Sequence, residues 1–196
     1  MQKKFTSDID MDFANRDQAL ALIQHVPASQ WRDGQLVKHN TGVYVTEAPV
    51  DSVLGICGLD YETAEDLGYV KLDFLNVSVY QQVKNPQHLQ QLLNTAPDWK
   101  KLEDHDFFTQ VVHIGNHWDL YRKLKEPLDS IARMSMFLAL IRPAKRHLAN
   151  SKWSEISKTI WDKPTDGSYA YKRSHATSYA HLVVVHMNLL CEQNSV

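Results

Sequence analysis

The chain has 196 residues, of which 21 are basic and 23 acidic, and its formal net charge is −2. This length indicates a folded protein of one domain, or of one domain with a small subdomain. With 43% apolar residues and only seven glycines and seven prolines, the composition excludes disordered and collagen-like classes. No apolar run approaches the roughly 20 residues of a bilayer span, and the first residues lack the apolar segment of a secretory signal. Cys57 and Cys191 are the two cysteines and lie far apart in the sequence, which favours a reducing compartment. We therefore expect a cytoplasmic protein with no membrane partner.

The charged side chains are distributed unequally along the chain. Residues 1–118 hold 9 basic and 16 acidic side chains, a balance of −7, whereas residues 119–196 hold 12 basic and 7 acidic, a balance of +5. Such a division is typical of a metal site beside a surface that binds a polyanion. It also occurs where two solvated faces differ in sign, so both interpretations stay open at this point.

Alternation of polar and apolar residues predicts β-strands in the first half of the chain. From residue 8 to residue 13 the aspartates share one face and the apolar residues share the other, which is the period of a half-buried strand. Asn15 or Asp12 then caps a short helix that ends before Pro27. Further strands are predicted over residues 42–46, 53–57 and 68–75.

The second half of the chain has the apolar spacing of helices. Helices are predicted over residues 79–93, where Pro86 must break or start the helix, over residues 128–141, and over residues 174–191 with Ser174 as the cap. Strands followed by helices indicate an α+β fold. We expect a single domain over residues 1–196, mostly strand-bearing over residues 1–78 and mostly helical and basic over residues 79–196.

The first strand carries the strongest chemical signal in the sequence. Asp8, Asp10 and Asp12 lie about 7 Å apart on one face and repel each other, so either a divalent cation or water must occupy that face. Oxygen ligands alone suit Mg²⁺ or Mn²⁺. A calcium loop is excluded because Phe13 stands where that loop needs Gly and Ala19 where it needs Glu. An exposed edge strand with solvated carboxylates is the alternative.

Asp73 adds a carboxylate on a second alternating strand. Two carboxylates on one strand and a third on its neighbour form a scaffold for two-metal phosphoryl transfer, in which one ion activates a hydroxyl and the other holds the leaving group. Lys71 shares the face of Asp73. It either contacts a substrate phosphate or forms an ion pair with Asp73.

The remaining candidates are weaker. His113 and His117 are four residues apart, but Gly115 disfavours a helix and no Glu follows, so a zinc site is disfavoured. The residues predicted to be packed in the core are Cys57, His181 and His186. The residues that either bind phosphate or lie on a solvated face after a helix are Arg142, Lys145 and Arg146.

Five segments carry a recognisable series of motifs. Residues 7–13 read Ser-Asp-Ile-Asp-Met-Asp-Phe and are followed by Arg-Asp, residues 39–43 read His-Asn-Thr-Gly-Val, and residues 68–75 read Gly-Tyr-Val-Lys-Leu-Asp-Phe-Leu. Residues 122–125 with 139–144 supply Arg-Lys-Leu-Lys and Ala-Leu-Ile-Arg-Pro-Ala, and residues 171–179 read Tyr-Lys-Arg-Ser-His-Ala-Thr-Ser-Tyr. In this order they resemble the bacterial DNA polymerase III alpha subunits, the C-family replicative polymerases, in a strongly truncated form such as a bacteriophage encodes.

The resemblance implies a palm sheet of the nucleotidyltransferase type backed by helices. The catalytic and metal-binding residues that it implies, with Mg²⁺ or Mn²⁺ as cofactor, are Asp8, Asp10 and Asp73. The substrate- or phosphate-binding residues that it implies are Lys71, Arg142, Arg173, Ser174 and His175. Asp12 matches an acidic position to which the resemblance gives no catalytic role.

The implied activity is nucleotidyl transfer from deoxynucleoside triphosphates to a DNA primer end during replication, with primer-template DNA as partner. Two elements of the family are missing: the Gly-Arg-Gly-Ser-x-x-Gly-Ser loop that holds the triphosphate and the fingers element Arg-Arg-Ala-Met-Gly-Lys. Because electrostatic positioning supplies most of phosphoryl-transfer catalysis, we expect an active enzyme to need the loop from a second subunit.

Two further functions are consistent with the sequence. One is a non-catalytic protein that binds replisome proteins or mimics the core of a host polymerase. The other is a metal-dependent nuclease that uses the same carboxylates, with His39 or His175 as general base. An enzyme needs Asp10 and Asp73 for activity, whereas a binding protein tolerates their replacement by asparagine.

Overall fold

A computed structural model of the chain describes residues 9–163 and 171–194. The chain divides into two compact units, the first ending at Gln82 and the second starting at Val83. The fold is α+β, with the strands in the first half of the chain and most of the helices later. Of the predicted site residues, Asp8 lies outside the described residues.

The first unit contains an open, mixed four-stranded sheet. Its strands are β1 (Ile9–Phe13), β2 (Val26–Arg32), β3 (Gln35–Tyr44) and β4 (Leu72–Asn76). Their spatial order is β1-β4-β3-β2. Strands β1 and β4 are parallel, whereas β3 is antiparallel to both of its neighbours. The two strands that carry the predicted catalytic aspartates are therefore hydrogen-bonded to each other.

Strand β2 was not predicted, and β3 begins earlier than predicted. Asp33 and Gly34 connect the two strands with φ angles of 52° and 76°, the left-handed conformation that a two-residue hairpin turn requires. The helix predicted after the first strand is α1 (Arg16–Ala21), and the Asn15 side chain caps it by accepting hydrogen bonds from two backbone N–H groups. Pro27 lies inside β2 and does not end the helix.

The predicted strand over residues 53–57 is wrong. The Asp51 carboxylate accepts hydrogen bonds from the backbone N–H groups of Val53 and Leu54, both at 2.8 Å, and Gly55 has a φ of 65°. These contacts fold the segment into a turn because an aspartate side chain competes with the strand ladder for backbone donors. Cys57 is fully buried, as predicted for a core residue.

The predicted strand over residues 68–75 is only partly correct. A helix, α2 (Tyr61–Asp66), precedes it and ends at Leu67. Gly68 follows with a φ of 92°, and the backbone N–H of Tyr69 returns to the carbonyl of Ala64 at 3.0 Å. The chain is thus still completing a helix end where the alternation suggests a strand, and β4 starts at Leu72.

The two faces of the sheet differ in character. Leu20 of α1 packs with Val43 and Phe74 in an apolar cluster on one face, where Phe13 also stacks on Phe74 with ring centroids 4.6 Å apart. Because side chains alternate along a strand, Asp73 points to the opposite face. Helix α1 therefore covers the apolar side and leaves the carboxylate side uncovered by it.

The second unit is helical. Its helices are α3 (Pro86–Asn94), α4 (His105–Gln110), α5 (Trp118–Tyr121), α6 (Ile131–Leu140), α7 (Trp153–Thr159) and α8 (Arg173–Gln193). Its short 3₁₀ segments span Trp99–Glu103, Gly115–His117 and Pro143–Leu148, and a further one, Ser78–Gln82, ends the first unit.

Helix boundaries in the second unit differ from the predicted ones where caps intervene. Pro86 starts α3, which is one of the two roles predicted for it, and the Asn85 side chain accepts a hydrogen bond from the backbone N–H of His88. Ser130 caps α6, which therefore begins later than predicted. Helix α8 begins at Arg173 with Lys172 at the N-cap position, which corrects the prediction of Ser174 as the cap.

Helices α6 and α8 pack against each other in the core of the second unit. Fully buried core residues include Phe108, Met134, Phe137, Val183 and Met187. Buried Asn188 of α8 donates hydrogen bonds at 2.9 Å to the carbonyls of Leu92 and Thr95 at the end of α3, which fixes the position of α3. Within the described residues, no helix combines the length and the apolar character that a membrane span requires.

Candidate functional site

The predicted pair of carboxylates is brought together by the pairing of β1 with β4. Asp10 and Asp73 are direct partners in the parallel register of the two strands. Partner residues in a sheet present their side chains on the same face, with strands about 4.8 Å apart. The Asp10 and Asp73 side chains therefore start from adjacent backbone positions on one face of the sheet.

Asp73 is enclosed by polar groups from three segments. It is only 9% exposed, its Oδ1 accepts a hydrogen bond from the Thr41 hydroxyl at 2.6 Å, and its Oδ2 forms an ion pair with the Lys71 ammonium. The Lys71 ammonium also lies over the Tyr61 ring, 5.8 Å from its centroid. Of the two roles predicted for Lys71, the ion pair is the one present in this structure.

His39 lies beside this pair, with its Nδ1 3.8 Å from Asp73 Oδ1. Its Nδ1 accepts hydrogen bonds from the backbone N–H groups of Gly42 at 2.9 Å and Thr41 at 3.3 Å. A nitrogen that accepts carries no proton, so the neutral ring holds its proton on Nε2. Burial and the charge of Lys71 lower the pKa of His39. With Nδ1 engaged and Nε2 protonated, neither nitrogen is available as the general base that the nuclease hypothesis needs.

The remaining acidic residues of β1 affect each other electrostatically. Burial and the neighbouring charge of Asp10 raise the pKa of Asp12. Burial and the charge of Asp12 likewise raise the pKa of Tyr80. The contribution of Asp10, which is smaller than that of burial, is the repulsion predicted for aspartates two residues apart on one strand.

The donor set of this site fits a hard divalent cation in type. Asp10 and Asp73 supply carboxylate oxygens, the ligands that Mg²⁺ prefers. In residues 9–163 and 171–194 no group of three or more His, Cys, Asp or Glu side chains is arranged to hold a metal ion. The two described aspartates alone do not form a complete ligand set.

The predicted phosphate-binding residues of the second unit lie at separate places. Arg142 lines a cavity with His113 and His117, whereas Arg173 lines another cavity, 6.0 Å from the centroid of the Trp161 ring. Ser174 is exposed and His175 is half-buried, both in the first turn of α8. Arg142 and Arg173 thus take part in two different cavities.

The sequence did not predict the contacts that Thr41, Gly42 and Tyr61 make around Asp73. Gly42 is the partner of Asp73 in the β3–β4 register, and a Cβ atom there would lie 2.7 Å from Lys71 Cδ and 3.0 Å from His39 Nδ1. The absence of a side chain lets both groups approach the carboxylate.

No family model, curated protein or solved structure matches the chain.

Replacing Gly42 by alanine is expected to separate Lys71 from Asp73. The added methyl group overlaps the lysine side chain, so the lysine must move, at a net cost of about 1 kcal/mol of unfolding free energy. Urea unfolding of the wild type, G42A, K71A and the double variant measures this coupling. The penalty of G42A should be smaller when Lys71 is already alanine.

Gly58→Ala is the matched control, because a Cβ there meets its nearest atom at 3.7 Å, an ordinary contact distance. Equal penalties for G42A in the presence and absence of the lysine side chain would contradict the assigned role of Gly42.

Proposed function

We propose that this protein is a nucleotidyltransferase of the palm type that acts in DNA replication. In this proposal it extends a DNA primer with deoxynucleoside triphosphates in the presence of Mg²⁺ or Mn²⁺. The observation that carries the proposal is the direct pairing of Asp10 with Asp73 on adjacent parallel strands. The resemblance of the sequence motifs to the polymerase III alpha subunits supplies the reaction and the substrates.

The roles of the residues in the first unit follow from their chemistry. Asp10 and Asp73 hold the cations, and Asp8, two residues from Asp10 in the sequence, is the third predicted ligand. Bound Mg²⁺ supplies activation of the primer hydroxyl and neutralisation of the leaving group. The protein's own contribution is to fix the carboxylates on a sheet, where their backbone positions are held by hydrogen bonds.

Lys71 connects metal binding to substrate binding in this proposal. Its ammonium pairs with Asp73 Oδ2, so the ammonium would have to leave this oxygen for Asp73 to hold a cation through it. Lys71 would then remain on the same face, where its ammonium would be available to a substrate phosphate. The ion pair and the phosphate contact, which the sequence leaves as alternatives, become two successive states of one residue.

A second candidate function is a non-catalytic protein that binds replication proteins. The observation that favours it is that the protein itself supplies Asp73 with a cationic partner, Lys71, and a hydroxyl donor, Thr41. A buried carboxylate with such partners is stable as a structural group. In that case the sheet face serves as a binding surface, and Asp10 and Asp73 have no role in turnover.

Titration calorimetry with Mg²⁺ and Mn²⁺, paired with a primer-extension assay on labelled primer-template, separates these functions. The proposal predicts metal binding by the wild type, and at least a tenfold loss of metal affinity in the Asp10→Asn/Asp73→Asn variant, because two of the anionic ligands become neutral. Extension by the wild type that is absent from this variant would establish the polymerase.

Asp12→Asn is the matched control for this experiment. It removes one carboxylate from the same strand but not a residue to which a catalytic role is assigned, so it should keep metal binding and extension. Wild-type protein that binds no metal and extends no primer would exclude the catalytic proposal. Metal binding without extension would exclude a solitary polymerase and direct the search to a second subunit that holds the triphosphate.

A further inference from the structure

A polar cavity of about 230 Å³ lies in the second unit. Its polar lining consists of His113, His117, Arg142, Tyr171 and Tyr179, and its apolar lining comes from the end of α6 and the residue after it. Of these five polar residues, only Arg142 was predicted from the sequence as a phosphate contact. The cavity is formed by residues of the second unit alone and so does not depend on the proposed metal chemistry.

Arg142 is held in place by an aromatic ring. Its guanidinium carbon lies 4.4 Å from the centroid of the Tyr171 ring, so the planar group is supported on one face. Among the described residues the structure records no acceptor for its side-chain N–H groups. Stacking on a ring leaves the edges of a guanidinium, with their N–H donors, available to a ligand.

His113 is presented to the cavity by an unusual backbone. Its φ of 65° places it in the left-handed region, which a non-glycine residue adopts at an energetic cost and which is concentrated at functional sites. Its ring contacts the Tyr179 ring with centroids 4.6 Å apart. The left-handed turn therefore places the His113 imidazole against Tyr179 of α8, at the wall of the cavity.

The electrostatic environment of the cavity is positive. Burial, then the charges of Arg142 and His186, lower the pKa of His113. Burial, then the charges of Arg146 and Arg142, lower the pKa of His117. Among the described groups no carboxylate contributes to either shift. Without a ligand, protonation of these histidines is therefore opposed, and a bound anion would favour it.

The size and the aromatic contacts of the cavity restrict the ligand. A cavity of this volume is smaller than the roughly 300–1,000 Å³ of sites for drug-sized ligands. The Tyr171 and Tyr179 rings already contact Arg142 and His113, so they orient donors and do not serve as platforms for a nucleobase. Convergent Arg and His donors with a fork geometry suit a small oxyanion.

We propose that this cavity is a binding site for a doubly charged phosphate group, either inorganic phosphate or the phosphate of a small phosphomonoester. Arg142 donates through its guanidinium edge, and His113 and His117 donate through their rings when protonated. Because both histidines gain a proton on binding, affinity increases as the pH falls. The groups whose positive charge opposes this protonation in the empty site are Arg142 and Arg146, together with His186 at a pH low enough to protonate that ring.

Titration calorimetry of the full chain with sulfate tests the pH dependence, because sulfate keeps its double charge between about pH 5.5 and pH 8, where histidine titrates. Wild-type protein should bind sulfate between about tenfold and a hundredfold more tightly near pH 5.5 than near pH 8, because a rise of one pKa unit contributes up to about tenfold for each of the two histidines. Histidine NMR resonances should report a higher pKa for both rings in the bound state. Inorganic phosphate and glycerol phosphate, compared at one pH, distinguish the two sources of the group.

Variants assign the effect to residues. Arg142→Gln should abolish binding, whereas Arg142→Lys, which keeps the charge without the fork, should retain part of it. His113→Asn with His117→Gln should bind sulfate equally at both pH values, and asparagine tolerates the left-handed backbone of residue 113. Arg32→Gln removes an exposed arginine that does not line the cavity and should bind as the wild type does. Unchanged binding by folded Arg142→Gln, or no sulfate binding by the wild type, would overturn the proposal.

Discussion

Replacing Gly115 by alanine should destabilise the second unit by about 3 kcal/mol or more. A Cβ atom at this position would lie 2.3 Å from the Thr109 carbonyl oxygen and 3.0 Å from its carbonyl carbon. These are backbone atoms, so no rotation of a side chain relieves the overlap. The turn that carries His113 and His117 must then move away from the end of α4, which opens a core that contains the fully buried Phe108 and Ile114.

Urea unfolding followed by far-UV circular dichroism measures this loss as a lower midpoint. Asn116→Ala is the control, because Asn116 follows Gly115 in the chain and its side chain is exposed. This substitution should change the unfolding free energy by no more than about 0.5 kcal/mol. A G115A variant as stable as the wild type would mean that the backbone around Thr109 is not fixed as described.

The stability of the second unit should fall on acidification because of His186. The ring is buried, burial lowers its pKa, and its Nδ1 accepts a hydrogen bond from the backbone N–H of Val112 at 2.9 Å. The pKa is thus lower in the folded than in the unfolded state. As the pH falls below about 6.5, the usual histidine value, the unfolded chain takes up a proton that the folded chain resists. The stabilisation is complete above that pH and decreases below it, by at most about 1.4 kcal/mol per pH unit for this one proton.

Two substitutions separate the proton from the hydrogen bond. Asparagine places an acceptor near the position of Nδ1 but does not titrate. The unfolding free energy of the wild type, relative to that of His186→Asn, should therefore decrease as the pH falls below about 6.5. His186→Leu also leaves the Val112 N–H without its acceptor, which should cost about 1–3 kcal/mol at every pH. Unfolding by urea near pH 8 and near pH 5.5 provides both comparisons.

If the unfolding free energies of the wild type and His186→Asn changed equally with pH, protonation of His186 would not be the cause of the loss of stability in acid. Because His113 and His117 also have lowered pKa values, the difference between the two proteins, and not the wild-type profile alone, is the decisive quantity.

Local sequence patterns were sufficient to predict the α+β order of elements and the aspartate strand. Strict alternation of acidic and apolar residues specifies a strand because it is incompatible with the period of a helix. The same alternation misled at residue 68, where Gly68 completes a helix end. At residues 53–57 an apolar run predicts a strand, whereas Asp51 and Gly55 form a turn. In both cases a glycine with positive φ, which periodicity does not reveal, decides the local structure.

Strand β2 could have been predicted from a signal that is present in the sequence. Asp33 and Gly34 form the dipeptide most typical of a tight hairpin turn, with apolar and polar residues on both sides. Pro27 instead suggested the end of a helix. Proline is tolerated in an edge strand, and β2 is at the edge of the sheet.

The candidate site was predictable only in part. That Asp10 and Asp73 share a face follows from parity along each strand, but their direct pairing depends on a register between segments about sixty residues apart, which no local pattern specifies. The hydrogen bond from the Thr41 hydroxyl to Asp73 depends on where β3 lies against β4. The close approach of Lys71 and His39 at Gly42 depends on the same strand placement. Such contacts are properties of the sheet as a whole.

Helix α8 has a consequence for how the second unit is made. Residues 182–190 are all buried, and Asn188 bonds to the carbonyl of Leu92, 96 residues earlier in the chain. During synthesis on the ribosome, α3 and α6 emerge long before the helix against which they pack. The apolar faces of α3 and α6 remain exposed until α8 leaves the exit tunnel. Folding is slowed further because the contact between Asn188 and Leu92 closes a loop of 96 residues. A nascent chain halted before α8 is therefore the form in which this protein most needs a chaperone.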